Sequence, residues 1–180
     1  MIIYISMLRG INVGGRKKVK MVELKGLYES LGFSDVKTYI QSCNVIFKTN
    51  NFNSSSELIK RIEVAVKEVF SFEVHVFIRT MSELERIIND NPLIQFDTSK
   101  LHVTFLSDHP TMHINGIDEV KDELEKYSFS DVEIYLFLPN GYGRTKLSND
   151  FFEKKLRVNA TTRNWRTVNK LFDIAKSLSN

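Results

Sequence analysis

Only one cysteine, Cys43, occurs in 180 residues, which excludes an internal disulfide framework and fits a reducing compartment. Long apolar runs are missing too. The longest, MIIYISML over 1–8, is too short to span a bilayer and has neither a basic start nor a small-residue cleavage site. It reads as a strand, and the chain as a cytoplasmic protein with no membrane partner. Charge imbalance is small, +3 at neutral pH, whereas a long nucleic-acid track calls for a larger basic excess. What is left, 42% hydrophobic and 26% charged residues, is the composition of an ordinary globular protein.

Motifs that carry known chemistry are equally sparse. No Walker loop, no G-x-G-x-x-G fingerprint and no serine nucleophile elbow is present, so no cofactor is indicated. His109 and His113 in HPTMH, with His102, are the only close histidine set. Pro110 disfavours the helix that would align such a pair, and no cysteine or carboxylate completes a metal shell. Cys43 has no histidine near it in sequence and reads as an inert small residue. Acidic residues fall mostly on helical stretches such as ELIKRIEVAVKEVF, where they form solvated faces.

What is present is a clear alternation of strand and helix periods. IIYISML is a β-rich run, and MVELKGLYESLG spaces Met21, Leu24, Leu27, Tyr28 and Leu31 along one helix face. VKTYI and NVIFK form a hairpin across QSCN. SSSELIKRIEVAVKEVF starts on serines with Glu57 in its first turn and carries Leu58, Ile62, Ala65, Val66 and Val69 as an apolar stripe. VHVFIRT alternates as a strand, and MSELERIIND is a short helix closed by Pro92.

From about residue 100 the order begins again. LHVTFLS reads as a strand, IDEVKDELEKY as a helix, VEIYLFL and GYGRT as a hairpin, and NDFFEKKL as a helix. The chain then closes on an amphipathic helix with Trp165, Val168, Leu171, Phe172 and Ala175 on its apolar side. Setting FIRTMSELERII above TTRNWRTVNKLF pairs Arg79 with Arg163, Met81 with Trp165, Leu84 with Val168 and Ile87 with Leu171. That register suggests a duplication. The fold class expected is α+β, with duplicated ferredoxin-like (βαββαβ) halves, each an antiparallel sheet with helices packed on one face. The halves are expected at 1–92 and 100–180, joined by a linker at 93–99, and are small enough to share an interface.

Four segments, YISMLRGINVGGRKKVKM, GFSDVKTYIQSCNVIF, YLFLPNGYGRTKL and TTRNWRTVNKL, together resemble the bacterial LRGINVGG-signature family of domains of unknown function, DUF1697. The likeness runs in order over nearly the whole chain. It implies a cytoplasmic protein with two ferredoxin-like halves, and brings no established activity. The family usually has glycine where this chain has Cys43. At a positive φ a cysteine would cost on the order of 1 kcal/mol, which points to a less demanding turn here.

The same segments carry the candidate binding residues. Gly14 and Gly15 expose backbone N–H groups in a turn ringed by Arg9, Arg16, Lys17 and Lys20, with Asn12 beside them, which suits phosphate or carboxylate. The competing account is a plain strand-to-helix connection. Gln41, Ser42 and Asn44 add neutral hydrogen-bond groups at the hairpin turn. Gly141, Arg144 and Lys146 repeat the glycine-basic pattern in PNGYGRTKL. In TTRNW, Thr161 or Thr162 is expected to cap a helix carrying Arg163 and Asn164 in its first turn. Arg9, Lys17, Lys146 and Arg163, none with an acidic partner evident in its own segment, are expected to face one basic cleft between the halves.

The function expected is therefore binding of a small phosphorylated or carboxylated ligand, whether or not a reaction follows. The runner-up is an RNA or single-stranded DNA module built like an RRM, although no RNP-like aromatic strand is present. A third reading is an interaction protein without a ligand.

Overall fold

A computed structural model describes residues 1–12, 17–39, 44–50, 52, 54–110 and 116–179. The first half runs β1 (Ile2–Leu8), α1 (Met21–Ser30), β2 (Ser34–Tyr39), β3 (Asn44–Thr49), α2 (Ser55–Phe70), β4 (Val76–Thr80) and α3 (Met81–Asn89). The second repeats the order with β5 (Leu101–Leu106), α4 (Ile117–Val120), β6 (Lys126–Phe129), β7 (Glu133–Phe137), α5 (Asn149–Leu156), β8 (Ala160–Asn164) and α6 (Trp165–Ser177). Each half builds a four-stranded antiparallel sheet, ordered β2-β3-β1-β4 and β6-β7-β5-β8. This is the ferredoxin-like arrangement twice over, in an α+β chain.

Compactness divides the chain at other points than chain order does. One unit comprises Met1–Glu85 with Lys170–Asn180, and the other Arg86–Asn169. Residues 93–99, expected as a linker, form a turn and the start of a short 3-10 helix, Thr98–Lys100, inside the second unit.

In the first unit, Leu24, Leu27 and Tyr28 of α1 and Leu58, Ile62, Ala65 and Val66 of α2 pack on Tyr4, Leu8, Val45, Phe47, Val76 and Ile78 of the sheet. Ser6 lies on that same apolar face. Its hydroxyl is satisfied there by the Tyr28 hydroxyl at 2.7 Å, so the alternation of β1 is kept without an orphan polar group. α2 starts where the serines predict, because the Ser54 hydroxyl accepts from the Glu57 N–H. It stops at Ser71 in the left-handed region, φ 61°, whose N–H bonds the Lys67 carbonyl.

In the second unit, Ile117 of α4 and Phe152 and Leu156 of α5 cover Leu106, Ile134, Leu136 and Ala160. The other face of β7 is covered as well. Tyr135 donates its buried hydroxyl to the Ile87 carbonyl at 3.1 Å, Arg86 reaches Glu133 at 3.4 Å, and Phe96 stacks on Phe137 at 4.7 Å. Burial, with the Glu133 charge next in weight, pushes the Tyr135 phenol up to about 12.

The segment from 117 to 137 departs from the sequence expectation. The helix expected over IDEVKDELEKY ends after one turn at Val120, and Lys126–Phe129 is a strand instead. Asp122 takes the Leu124 N–H on its own carboxylate, and the buried Glu125 takes the Asp122 N–H, so side chains capture donors that a helix would have used. β7 then finds its hairpin partner in β6 rather than in GYGRT. The latter is a short 3-10 turn, Tyr142–Arg144, entered through Gly141 at φ 86°.

Candidate functional site

The candidate residues fall into two groups, one in each unit. In the first unit the register of the sheet pairs Met7 with Asn44, Tyr39 with Asn44, and Leu8 with Val76. The segment beginning at Arg9 therefore leaves the sheet at the same end as the β2–β3 turn and the α2–β4 connection. Gly14, Gly15, Gln41 and Ser42, together with Arg16 and Cys43, lie outside the described residues.

Asn12 works as a clamp for this loop. Its amide nitrogen donates to the Val19 carbonyl at 3.0 Å, its amide oxygen accepts from the Val19 N–H at 2.9 Å, and its own N–H bonds the Lys17 carbonyl. Gly10, Asn12 and Lys17 all have left-handed backbones, at φ 73°, 59° and 47°. Asn12→Ala is expected to cost about 2 kcal/mol, from two lost hydrogen bonds and a left-handed alanine. Asn12→Gly should cost less, since glycine accepts that φ. Urea unfolding checks both, and a loss of only a few tenths for the alanine variant would deny the clamp.

Two cations of this loop, Lys17 and Lys20, are engaged by the protein itself. Lys17 donates to the Glu73 carbonyl at 2.6 Å and lies 5.5 Å over the Phe72 ring. Lys20 pairs with Glu23 at 3.6 Å. The Arg9 N–H bonds the His75 carbonyl, and buried Asn44 donates to the Tyr39 carbonyl at 3.3 Å. The loop 71–75 that receives these contacts carries no sequence signal for the role, because Glu73 is 56 residues from Lys17. A hydrogen bond from Lys67 holds the Glu73 carboxyl below its usual range.

In the second unit the pairing of His102 with Asn164 and of Leu101 with Phe137 brings the end of β8 and the turn after β7 to one edge of the sheet. Arg163 is a strand residue, not part of a helix first turn. Its guanidinium folds back on the Thr161 hydroxyl at 2.8 Å and the Thr162 carbonyl at 3.0 Å. The α6 cap is Asn164, whose side-chain oxygen accepts from the Thr167 N–H, and neither Thr161 nor Thr162 serves. The strand continues to Asn164 because Thr161 to Asn164 pair with Phe105 to His102.

The turn itself presents Arg144 and Lys146, both exposed and without an ion pair among the described residues. Beside it lies a polar group whose members the sequence did not bring together. His102 stacks on Tyr142, ring centroids 5.6 Å apart at 29°, and its Nδ1 donates to the Lys100 carbonyl at 3.2 Å. Desolvation lowers the His102 pKa, so at neutral pH the ring is uncharged and Nε2 is an acceptor. Tyr142 accepts the Asn149 N–H at 3.1 Å. The Asn149 side-chain oxygen accepts from Thr162, which is hydrogen-bonded in turn to buried Thr104 at 2.8 Å. Among the described residues no three His, Cys, Asp or Glu side chains gather as metal ligands, and no helix is long and apolar enough to cross a membrane.

A chain with two ferredoxin-like sheets is also seen among solved structures. The conserved bacterial protein SP0830 from Streptococcus pneumoniae is similar, at 23% identity and a TM-score of 0.70, over 97% of this chain and 98% of that one. At that identity the likeness speaks for the fold alone. The family model described as Protein of unknown function (DUF1697) matches residues 1–135, and the chain belongs to that family. Among curated proteins, none matches the chain.

Proposed function

We propose that this protein binds a small phosphorylated or carboxylated molecule at the turn Gly141 to Lys146 of its second unit. The observation that carries the reading is the pair of exposed, unpaired cations, Arg144 and Lys146, on a turn whose neighbours His102, Tyr142 and Asn149 keep hydrogen-bonding capacity. Two cations on one short turn repel each other, and an anion between them relieves that repulsion. Arginine adds a planar fork matched to phosphate or carboxylate. The LRGINVGG loop is the second choice for the same chemistry, since Lys17 and Lys20 already have partners in the protein.

The RRM-like alternative gains no support from the sheets. An RRM stacks bases on the sheet face away from its helices. Here Ile5, Met7, Ile46 and Phe77 on that face of the first sheet, and Val103, Phe105 and Tyr135 on that of the second, are all buried.

Thermal shift with inorganic phosphate, simple phosphate monoesters and small dicarboxylates tests the proposal. A ligand at about a hundred times its Kd adds about 2.7 kcal/mol of stability. At least one of these anions is expected to raise Tm, and the Arg144→Ala/Lys146→Ala double variant to abolish the rise. No rise with any anion, or an equal rise in the variant, would overturn the assignment.

A further inference from the structure

Hydrogen-bonding groups around the turn differ in kind from its cations, and the difference bears on the ligand. His102 is fixed in one tautomer by the Lys100 carbonyl, which can only accept, so Nδ1 carries the proton and Nε2 the lone pair. Nε2 has no partner among the described residues. Tyr142 receives the Asn149 N–H on its oxygen and keeps its own O–H proton uncommitted. Asn149 spends its side-chain oxygen on Thr162 and keeps both amide protons. Thr162 holds that amide in orientation, because its hydroxyl donates to Asn149 and must therefore accept from Thr104. One acceptor and two donor groups thus gather around Tyr142, on the turn that carries Arg144 and Lys146.

We infer that the molecule held at this turn is a hydroxylated phosphate monoester, its phosphate on Arg144 and Lys146 and a hydroxyl donating to His102 Nε2 while accepting from Tyr142 or Asn149. This rests on the anion-binding reading above and narrows it. A simple anion meets the two cations but leaves the imidazole lone pair unanswered. A hydroxyl is both donor and acceptor, which is what one lone pair beside two donor groups calls for. A bare carboxylate or a fully ionised alkyl phosphate can only accept. The stacked His102 and Tyr142 rings leave Nε2 at the imidazole rim, and the pairing of His102 with Asn164 fixes the backbone that carries it.

The experiment compares glycerol 3-phosphate with methyl phosphate by isothermal titration calorimetry at pH 8, where both phosphates are dianions and only the first has hydroxyls. Wild-type protein should bind glycerol 3-phosphate about fivefold to tenfold more tightly, the equivalent of one to two hydrogen bonds. His102→Phe keeps a ring against Tyr142 and removes the lone pair, so the two affinities should converge while methyl phosphate changes less than about twofold. A second measurement uses the wild-type protein alone. The His102 Nε2 nitrogen resonance should move upfield with glycerol 3-phosphate and stay in place with methyl phosphate. Equal wild-type affinities, an advantage that survives in His102→Phe, or an unmoved Nε2 resonance would each overturn the inference and leave the anion site standing. Failure of both ligands to bind would overturn the inference, and the anion site falls with it if no dicarboxylate raises Tm either.

Discussion

Phe47→Ala is expected to be among the most destabilising single truncations in the first unit, costing about 4 kcal/mol. Phe47 is fully buried at the centre of an aromatic group: it stacks on Phe33 at 4.5 Å and on Tyr4 at 5.8 Å, and meets the edge of Tyr28 at 5.3 Å. Truncation removes a large apolar area from this core and leaves a cavity whose walls are rings on a sheet and a helix that cannot easily close in. The same change detaches Tyr28 from the neighbour that braces it, and Tyr28 is the partner that satisfies Ser6 in the core. Phe47→Leu keeps most of the volume and should cost about 1.5 kcal/mol, mainly the lost ring contacts. Urea unfolding with unchanged m-values is the check. Equal losses for leucine and alanine would mean that the cluster is not packed as described.

Arg86→Met should cost about 3 kcal/mol, at the lower end for breaking a buried pair because the arginine itself is 40% exposed. Its partner Glu133 is fully buried on the β7 face away from α5, beside the Tyr135 hydroxyl that is tied to Ile87. Removing the guanidinium takes the Arg86 contact away from a carboxylate in a low-dielectric setting. The double variant Arg86→Met/Glu133→Leu should recover part of the loss, since replacing both members removes the buried charge together with its cation. A single-variant loss under about 0.5 kcal/mol would instead put the pair in the class of exposed surface bridges.

Local patterns carried much of the fold into the sequence. Ser54 and Glu57 mark the start of α2, and the apolar spacing of Leu58, Ile62, Ala65 and Val66 marks its buried face. The alignment of Arg79 with Arg163 also has a structural counterpart: both stand next to last in an edge strand, opposite Ile5 and Val103, and each donates to the carbonyl of the preceding residue. A helix starts two residues later in both cases, at Met81 and Trp165.

What was not legible depends on partners far apart in the chain. β6 hides inside a charged stretch of helical composition, and only the side-chain captures at Asp122 and Glu125, with β7 as a neighbour, make it a strand. His102 drew notice only as a member of a metal set, because Tyr142, Asn149 and Asn164 reach its neighbourhood through sheet pairing and not through spacing. Arg163, expected in the first turn of the helix, is instead a strand residue two positions before α6 begins. In the same way the loop cations of the first unit look free in sequence, yet Lys17 finds a carbonyl and a ring on a loop more than fifty residues away.

Titration of isotopically labelled protein with methyl phosphate, followed by amide chemical shifts, tests the site assignment most directly. The largest changes should fall on Gly141, Gly143, Arg144, Lys146 and His102, saturate together, and vanish in Arg144→Ala/Lys146→Ala. Changes concentrated instead on Arg9 to Lys20, or no saturable change at any amide, would contradict it.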